Sequence, residues 1–229
     1  THSKATDGHN SLEEMGSAAK ELGYEYLAIT DHSQRLTMVK GLDSSRLWQQ
    51  IQEIEKLNQK LEPFVLLKSI EVDILEDGSL DLDSDILKEL DLVVGSIHYK
   101  FNLSKQKQTE RILKAMDNPY FNILGHPTGR LIGSRPAYEL DMDKILQGAC
   151  ERGCFMELNS QPERLDLNDA HCMRAKELGV KLVISTDAHS TGQLDLIKLG
   201  LGQARRGWLT AEDVLNTQKL DELKELLKR

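Results

Sequence analysis

The chain has 229 residues, which is enough for one large α/β domain or two small ones. Its formal net charge of −8 argues against a protein that holds nucleic acid through a broadly basic surface. No apolar run comes near the roughly 20 residues that cross a bilayer, and no secretory signal pattern is present, so we expect a soluble protein without a membrane partner. The cysteines, Cys150, Cys154 and Cys172, match no disulfide framework or zinc-knuckle spacing and favour a reducing cytoplasm.

The first predicted helix begins at a capping box, in which the Ser11 hydroxyl and the Glu14 carboxylate each accept from a free backbone N–H. This helix ends at Leu22, before Gly23. A strand is predicted at 26–30. A long helix then begins at Asp43 or at one of the two serines that follow, and its apolar residues keep steps of three and four up to residue 61.

The remaining elements alternate in the same way. Strands are predicted at 64–70, 92–97, 122–125, 154–159 and 181–186, and helices at 85–90, 104–116, 141–152 and 168–178. Two more helices, near 211–216 and 220–228, are polar enough to cover the outside. Because strands separated by helices require right-handed crossovers, the sheet is predicted to be parallel. With a further strand before Thr1 the fold is α/β, a distorted (β/α)7 barrel like a TIM barrel, and residues 1–229 form one domain whose first strand is truncated before Thr1.

Most of the seven histidines lie where a predicted strand ends, often beside a carboxylate, a glycine or a proline. These are His2, His32, His98, His126 and His189. A single histidine at a strand end is usually an ordinary hydrogen-bonded residue, but five such positions are hard to explain by chance. The C-terminal ends of parallel strands open onto one face of a barrel, so these side chains are predicted to converge, together with Glu71. Imidazole and carboxylate together are ligands for zinc, manganese or iron. We interpret His9 and His171, in a loop and a helical pattern, as ordinary.

Several short motifs occur in a fixed order along the chain. They are Thr1-His2-Ser3, the segment 6–11, Ile29-Thr30-Asp31-His32-Ser33, Ile70-Glu71-Val72-Asp73-Ile74, Ser96-Ile97-His98, the segment 124–130, Glu157-Leu158-Asn159 and the segment 185–190. With these motifs the chain resembles the PHP (polymerase and histidinol phosphatase) superfamily over its whole length. Among its members the chain is most similar to the domain that follows the catalytic core of bacterial and archaeal family X DNA polymerases. The segments 125–135 and 204–208 favour that branch.

The resemblance implies two or three divalent metal ions, with Mn²⁺ or Zn²⁺ as the first candidates and iron as another. The implied ligand sets are His2 with Glu71 and Asp187, then Glu71 with His98 and His126, then Asp7 with His32 and His189. In this assignment Glu71 bridges two ions, because a carboxylate has two oxygens and an imidazole nitrogen has a single lone pair. The family pattern opens with His-x-His, and its first histidine would stand immediately before Thr1.

Paired divalent ions suit phosphoester chemistry, because they activate water and stabilise both oxygens of an in-line displacement at phosphorus. Glu71 and Asp187 are therefore the predicted catalytic residues. Arg130, in a glycine-flanked loop just past His126, is a further catalytic candidate that would bind a phosphate oxygen, and the alternative is a solvated loop arginine. Weaker candidates of the same kind are Arg35, Lys100, Arg135 and Arg164.

Three functions remain open at this point. The leading hypothesis is a hydrolase of phosphodiesters, the 3′-5′ exonuclease module of a family X polymerase, which would reach DNA 3′ ends or abasic DNA through upstream polymerase domains and serve DNA repair in the cytoplasm. The second is a stand-alone phosphomonoesterase of the histidinol phosphatase kind, acting on a small phosphate ester. The third is a module in which metals stabilise the fold and orient the polymerase, with little turnover.

Overall fold

In the computed structural model, which describes residues 1–228, six strands form one parallel sheet in sequence order. The strands are β1 (Tyr26–Ile29), β2 (Val65–Asp73), β3 (Leu92–Ser96), β4 (Ile123–Leu124), β5 (Phe155–Asn159) and β6 (Leu182–Ser185). The helices are α1 (Leu12–Glu21), α2 (Ser44–Leu61), α3 (Ser84–Leu87), α4 (Lys105–Met116), α5 (Met142–Arg152), α6 (Asp169–Glu177), α7 (Ile197–Arg206) and α8 (Leu220–Leu227). The predicted parallel α/β architecture is confirmed: the sheet curls like part of a TIM-like barrel, with helices packed around it. No helix in residues 1–228 is long and apolar enough to cross a membrane.

The predicted helix starts are confirmed by their caps. At α1 the Ser11 hydroxyl accepts from the Glu14 N–H at 3.2 Å, and the Glu14 carboxylate accepts from the Ser11 N–H at 2.7 Å. At α2 the Asp43 carboxylate accepts from the Arg46 N–H at 2.8 Å. Each cap satisfies a backbone donor that the first helical turn leaves free. These two helices pack on β1 and β2 through the buried apolar residues of their inner faces.

Two segments were not assigned correctly from the sequence. Helix α7 was missed because Gly200 and Gly202 interrupt its apolar pattern and lower its helix propensity. Gly200 is needed for packing, since a Cβ there would lie 2.1 Å from the Ser160 hydroxyl. The helix predicted near residues 211–216 is replaced by two short 3₁₀ turns, Ala211–Asp213 and Leu215–Thr217. The boundaries of the other helices and strands differ from the prediction by only a few residues.

The polar character of the last helix predicted that α8 covers the outside of the domain, and this prediction is wrong. Leu223 and Leu227 of α8 pack against Leu67, Val94 and Ile123 of the sheet. The residues next to Leu67 on β2 and next to Val94 on β3 face the helices on the other side of the sheet, because side chains alternate along a strand. Helix α8 therefore fills the concave face of the sheet.

The edges of the sheet, β1 and β6, are not paired with each other within residues 1–228. At the C-terminal edge the gap is bridged by the first residues of the chain: Thr30 N donates to Thr1 O at 2.7 Å, and His2 N donates to Ala188 O at 2.8 Å. Between β1 and β6 lies a cavity of about 520 Å³. The seventh strand would precede Thr1, outside the sequence, and it stays a prediction.

In the same gap, towards the N-terminal ends of the strands, residues 214–216 lie beside β6. Val214 forms a single parallel bridge with Leu182, and the Asn216 side chain bonds both the N–H and the carbonyl of Ile184, at 3.0 and 2.8 Å. A side-chain amide thus takes the place of a neighbouring strand. The first and last parts of the chain meet along this line, which places N-terminal residues next to the end of β6.

Candidate metal centre

The C-terminal edge of the sheet collects the side chains that the sequence singles out. His32 follows β1 and pairs with Glu71 in a single parallel bridge, His98 follows β3, and His126 follows β4. Asp187 and His189 follow β6, and the bridge between residue 2 and residue 188 brings His2 and Asp7 to the same place. All eight residues predicted as ligands lie in one cluster, and their role as ligands stays a prediction.

Glu71 lies at the centre of the cluster and contacts four imidazoles. Its Oε1 atom lies 2.9 Å from His126 Nε2 and 3.4 Å from His98 Nε2. Its Oε2 atom lies 3.0 Å from His32 Nδ1 and 3.7 Å from His2 Nε2. Only 7% of this side chain is exposed. A carboxylate that uses both oxygens in this way is suited to lie between two cations.

Asp7 organises a second group on the more exposed side. Its Oδ2 atom lies 3.4 Å from His32 Nε2 and 3.3 Å from His189 Nε2, and its Oδ1 atom lies 3.7 Å from His2 Nδ1. The His2 ring stacks between those of His32 and His189, with centroids 4.4 and 4.3 Å away. His2 Nε2 is also 2.9 Å from Asp187 Oδ1.

These distances fit metal coordination. Ligand bonds of about 2.1 Å give donor atoms about 3.0 to 3.4 Å apart along the edges of a coordination polyhedron, and the contacts around Glu71 and Asp7 lie near that range. Two groups have donor atoms within 4.8 Å of one another: His2, Asp7, His32 and His189, and then His32, Glu71 and His98. Within residues 1–228 the buried Nδ1 atoms of His2 and His126 have no hydrogen-bond partner. The cluster therefore contains groups that can hold metal ions.

Without ions, protons balance the charges of the cluster. Burial opposes ionisation of Glu71, but the imidazoles of His98 and His32 hold the pKa of this carboxyl well below its usual range. Burial likewise lowers the pKa of the histidines, but Glu71, with Asp7 or Asp73, raises the pKa of His32 to about 10 and that of His98 to about 9. Two protonated imidazoles thus provide the positive charge that cations would otherwise supply.

A network of hydrogen bonds around Asp31, which sequence reasoning missed, supports the Asp7 side. This buried carboxylate accepts from Ser3 N at 2.7 Å and from Ser3 Oγ, Thr6 Oγ1 and Gln50 Nε2, each at 2.6 Å. It fastens the segment that carries His2 to the end of β1. Asp31 comes directly before His32, a strand-end histidine, and this position could have identified it. Successive residues face opposite sides, so Asp31 can support the site from behind the side that His32 faces.

Two other carboxylates position histidines. Asp73 Oδ1 lies 2.8 Å from His98 Nδ1, an arrangement that fixes the orientation of a ligating ring. Glu157 accepts from the backbone N–H of His126 and from the Ser185 hydroxyl, and burial raises its pKa. The sequence alone assigns no role to Glu157, whereas in the structure its carboxylate holds the backbone of His126.

The arginines are arranged differently from the sequence-based ranking. Arg130 donates from Nε to Arg164 O at 2.7 Å and from Nη2 to Leu165 O, so its guanidinium is committed to backbone carbonyls rather than to the cluster. Arg164, which we ranked lower, places Nε 3.4 Å from Asp187 Oδ2, and its buried Nη1 has no hydrogen-bond partner among residues 1–228. The geometry therefore favours Arg164 as the arginine that faces the site.

Comparison with known proteins decides the family. Residues 1–161 match the sequence model of the PHP domain. The chain belongs to the PHP domain family. This PHP domain is 46% identical over 228 residues to the DNA polymerase/3′-5′ exonuclease PolX of Bacillus subtilis, and the match covers 100% of the chain but 40% of that protein.

Other relatives resemble the PHP domain over most of their own length. A protein of a Thermoanaerobacter species, named a probable phosphatase, is 31% identical over 235 residues, which cover 97% of the chain and 91% of that protein. In structure, the PHP domain matches histidinol phosphate phosphatase from Lactococcus lactis, crystallised with zinc, L-histidinol and phosphate, with a TM-score of 0.64 and 15% identity over 91% of the chain and 92% of the phosphatase. These relatives support a phosphoesterase, and the structural match confirms the fold.

Proposed function

We propose that this PHP domain is a metal-dependent phosphodiesterase that removes nucleotides from DNA 3′ ends, as the 3′-5′ exonuclease module of a family X polymerase. The observation that carries the proposal is the position of Glu71, whose two carboxylate oxygens together contact four imidazoles. The relative named as a polymerase and 3′-5′ exonuclease, matched along the whole chain, supports the choice of DNA. Upstream domains would then bring DNA 3′ ends or abasic DNA to the site, in DNA repair in the cytoplasm.

The ions would be Mn²⁺ or Zn²⁺, or else iron, in two or three positions. His2, Glu71 and Asp187 would hold one, and Glu71 with His98 and His126 a second. Asp7, His32 and His189 would hold a third, although His32 Nδ1 also lies 3.0 Å from Glu71 Oε2 and is within reach of the second. When bound, such ions make water a stronger nucleophile and stabilise charge that develops at phosphorus.

The residues around the cluster have separate roles in the proposal. Arg164 would donate from its unpaired Nη1 to a non-bridging phosphate oxygen, while Arg130 holds the backbone of residues 164 and 165 in place. Asn159 Nδ2 donates to Asp187 Oδ2 at 3.0 Å and fixes the orientation of that carboxylate. Asp31 and Asp73 hold the backbone of residue 3 and the ring of His98.

A phosphomonoesterase is the second candidate. It is favoured by the Thermoanaerobacter relative, named a probable phosphatase, because the match covers 91% of that protein. A small phosphate ester would use the same cluster and the same arginine. A module that uses metals only for stability is harder to reconcile with eight donor residues gathered at one edge of the sheet.

The decisive experiment is metal analysis of the purified protein followed by parallel assays on single-stranded DNA with a 3′-hydroxyl and on histidinol phosphate. Release of nucleotides from the DNA, with negligible turnover of histidinol phosphate, is the expected result. Rapid turnover of histidinol phosphate without DNA degradation would replace the nuclease by the phosphatase. Bound metal with neither activity would favour the structural module.

A further inference from the structure

Besides the buried Arg111, which also lies over the Tyr99 ring, two arginines are stacked on aromatic rings next to the metal centre. The guanidinium carbon of Arg35 lies 4.2 Å from the centroid of the Tyr99 ring, and that of Arg135 lies 4.2 Å from the centroid of the Phe101 ring. The two rings follow His98 on the same loop, and the exposed Lys100 stands between them. We call Arg35, Lys100 and Arg135 the cationic rim.

The loops that carry the cationic rim are those that carry predicted metal ligands. Arg35 lies three residues beyond His32, and Arg135 lies nine residues beyond His126. These loops leave β1 and β4, so they lie at the C-terminal edge of the sheet, on either side of the loop after β3. The rim is therefore at the mouth of the cluster.

No carboxylate within residues 1–228 pairs with either rim guanidinium, and each is stacked on an aromatic ring instead. Most of the other described arginines are committed: Arg152, Arg174 and Arg206 pair with carboxylates, and Arg46, Arg111 and Arg130 donate to backbone carbonyls. Arg135 donates only from Nε, to Gly129 O at 2.9 Å, and Arg35 uses only its backbone N–H, to Asp81. In a chain with a net charge of −8, two uncompensated guanidinium groups at one edge are a marked local exception.

Stacking also holds these groups ready for a ligand. A guanidinium over an aromatic face is held in place by a cation–π interaction, while its N–H groups point outward in the plane and remain available. Phosphate oxygens are the preferred acceptors for such a planar fork. Lys100 adds a third charge, which Glu76 Oε2 at 3.6 Å only partly offsets because both side chains are about half exposed.

We infer that the cationic rim binds backbone phosphates of a single strand of DNA whose 3′-terminal phosphodiester lies at the metal centre. The inference rests on the proposed nuclease function and specifies how it selects its substrate. A small phosphate ester has one phosphate, which the cluster and Arg164 already accommodate. Additional cations outside the cluster serve only a substrate that carries further phosphates upstream of the one being hydrolysed.

The test uses Arg35→Gln and Arg135→Gln, singly and together, which remove charge while keeping polar side chains of similar reach. Arg205→Gln is the matched control, because Arg205 is an exposed arginine of α7 for which no carboxylate within residues 1–228 is a partner. With metal-supplemented protein, KM and kcat are measured for a dinucleotide and for an octanucleotide of DNA. Fluorescence anisotropy of a labelled octanucleotide with chelator-treated protein gives a second measurement that needs no hydrolysis.

Each rim variant is expected to raise the KM for the octanucleotide about 5- to 10-fold, and the double variant about 30-fold or more, with kcat changed less than about twofold. The salt dependence of octanucleotide binding should fall by about 0.7 in the log–log slope for each lost phosphate contact. The rise in KM of the rim variants should be smaller for the dinucleotide. The control Arg205→Gln should change the KM of neither substrate by more than about twofold.

An unchanged KM and an unchanged octanucleotide affinity in the double variant would overturn the inference while leaving the nuclease itself intact. An equal rise in KM for dinucleotide and octanucleotide would overturn it too, because the rim would then act on the scissile phosphate. If the unmodified protein hydrolyses histidinol phosphate and no DNA, the proposed function fails, and the anisotropy series still decides whether the rim binds a DNA strand.

Discussion

The two halves of the metal centre are built in different ways. On one side Glu71, His98 and His126 stand at the ends of three neighbouring strands, where Glu71 is paired in register with Val94 and Val94 with Ile123. On the other side Asp7 and His189 come from loops near the two ends of the chain. We call these the strand side and the loop side.

The difference shows in exposure and in what fixes each side. The Glu71 side chain is 7% exposed, whereas the Asp7 side chain is 26% exposed. The backbone ladder of the sheet fixes the strand side, while hydrogen bonds to Asp31 fix the loop that carries Asp7. We therefore expect that a single substitution can displace the residues of the loop side while those of the strand side stay in place.

The largest effect is expected from Glu71→Gln. The amide keeps the shape but removes the charge that offsets two cations, so the two ions that Glu71 is proposed to hold should be lost and turnover should fall on the order of 10³-fold. Metal content by plasma mass spectrometry and initial rates would measure both. His171→Ala, which alters a half-buried histidine of α6 outside the cluster, should leave both nearly intact. Equal losses in the two variants would show that the site has been misplaced.

The second-largest effect, on kcat, distinguishes Arg164 from Arg130. Arg164→Gln should lower kcat about 10²-fold with metal content retained, because one donor to the phosphate is removed. Arg130→Gln should act through the backbone of residues 164 and 165 and therefore reduce kcat less while lowering the melting temperature. This order reverses the one that the sequence suggested. A larger kcat loss in Arg130→Gln at unchanged thermal stability would restore the original assignment.

A third change tests the loop side alone. In Asp31→Asn an NH₂ group replaces one oxygen among four donated hydrogen bonds, so unfolding should become easier by about 2 to 3 kcal/mol. The ion near Asp7 should be lost while the strand side keeps its metal, and titration with a chelator would count the ions. Asp85→Asn, an exposed partner of Lys88, should cost less than about 1 kcal/mol. Loss of every ion in Asp31→Asn would mean that the two sides are one unit.

The pH dependence of the metal-free protein tests the charge balance of the cluster. Pairing raises the folded-state pKa of His32 to about 10 and of His98 to about 9, against about 6.5 when unfolded. The stabilisation is therefore complete below pH 6.5 and is lost as pH rises through 9 to 10. The depressed pKa of Glu71 acts at the other end, where stability is lost as pH falls below about 4.5.

The melting temperature of chelator-treated protein should therefore fall by about 5 °C or more between pH 7 and pH 10. With metal present the decline should disappear, because ions bind neutral imidazoles and replace the protons. A flat profile without metal would show that the two histidines are not protonated in the folded protein.

The sequence was informative wherever a backbone rule determines position. Strand ends in a parallel sheet must share an edge, so His32, Glu71, His98 and His126 could be brought together without coordinates. Side-chain direction follows no such rule. The direction of the Arg130 side chain is set by carbonyls 34 and 35 residues away, to which it donates. Helix α8 fills the concave face because Leu223 and Leu227 contact apolar residues there.

The contact between His2 and Asp187 joins residues 185 positions apart, and this has a consequence for folding kinetics. Closing a loop of that length costs entropy before the contact contributes any stability. The strand side can assemble from residues 65 to 126 while the loop side still waits for the end of β6. During synthesis His2 is therefore made long before Asp187, its partner, and this contact forms late. Metal added during refolding should therefore act late, slowing unfolding more than it speeds folding.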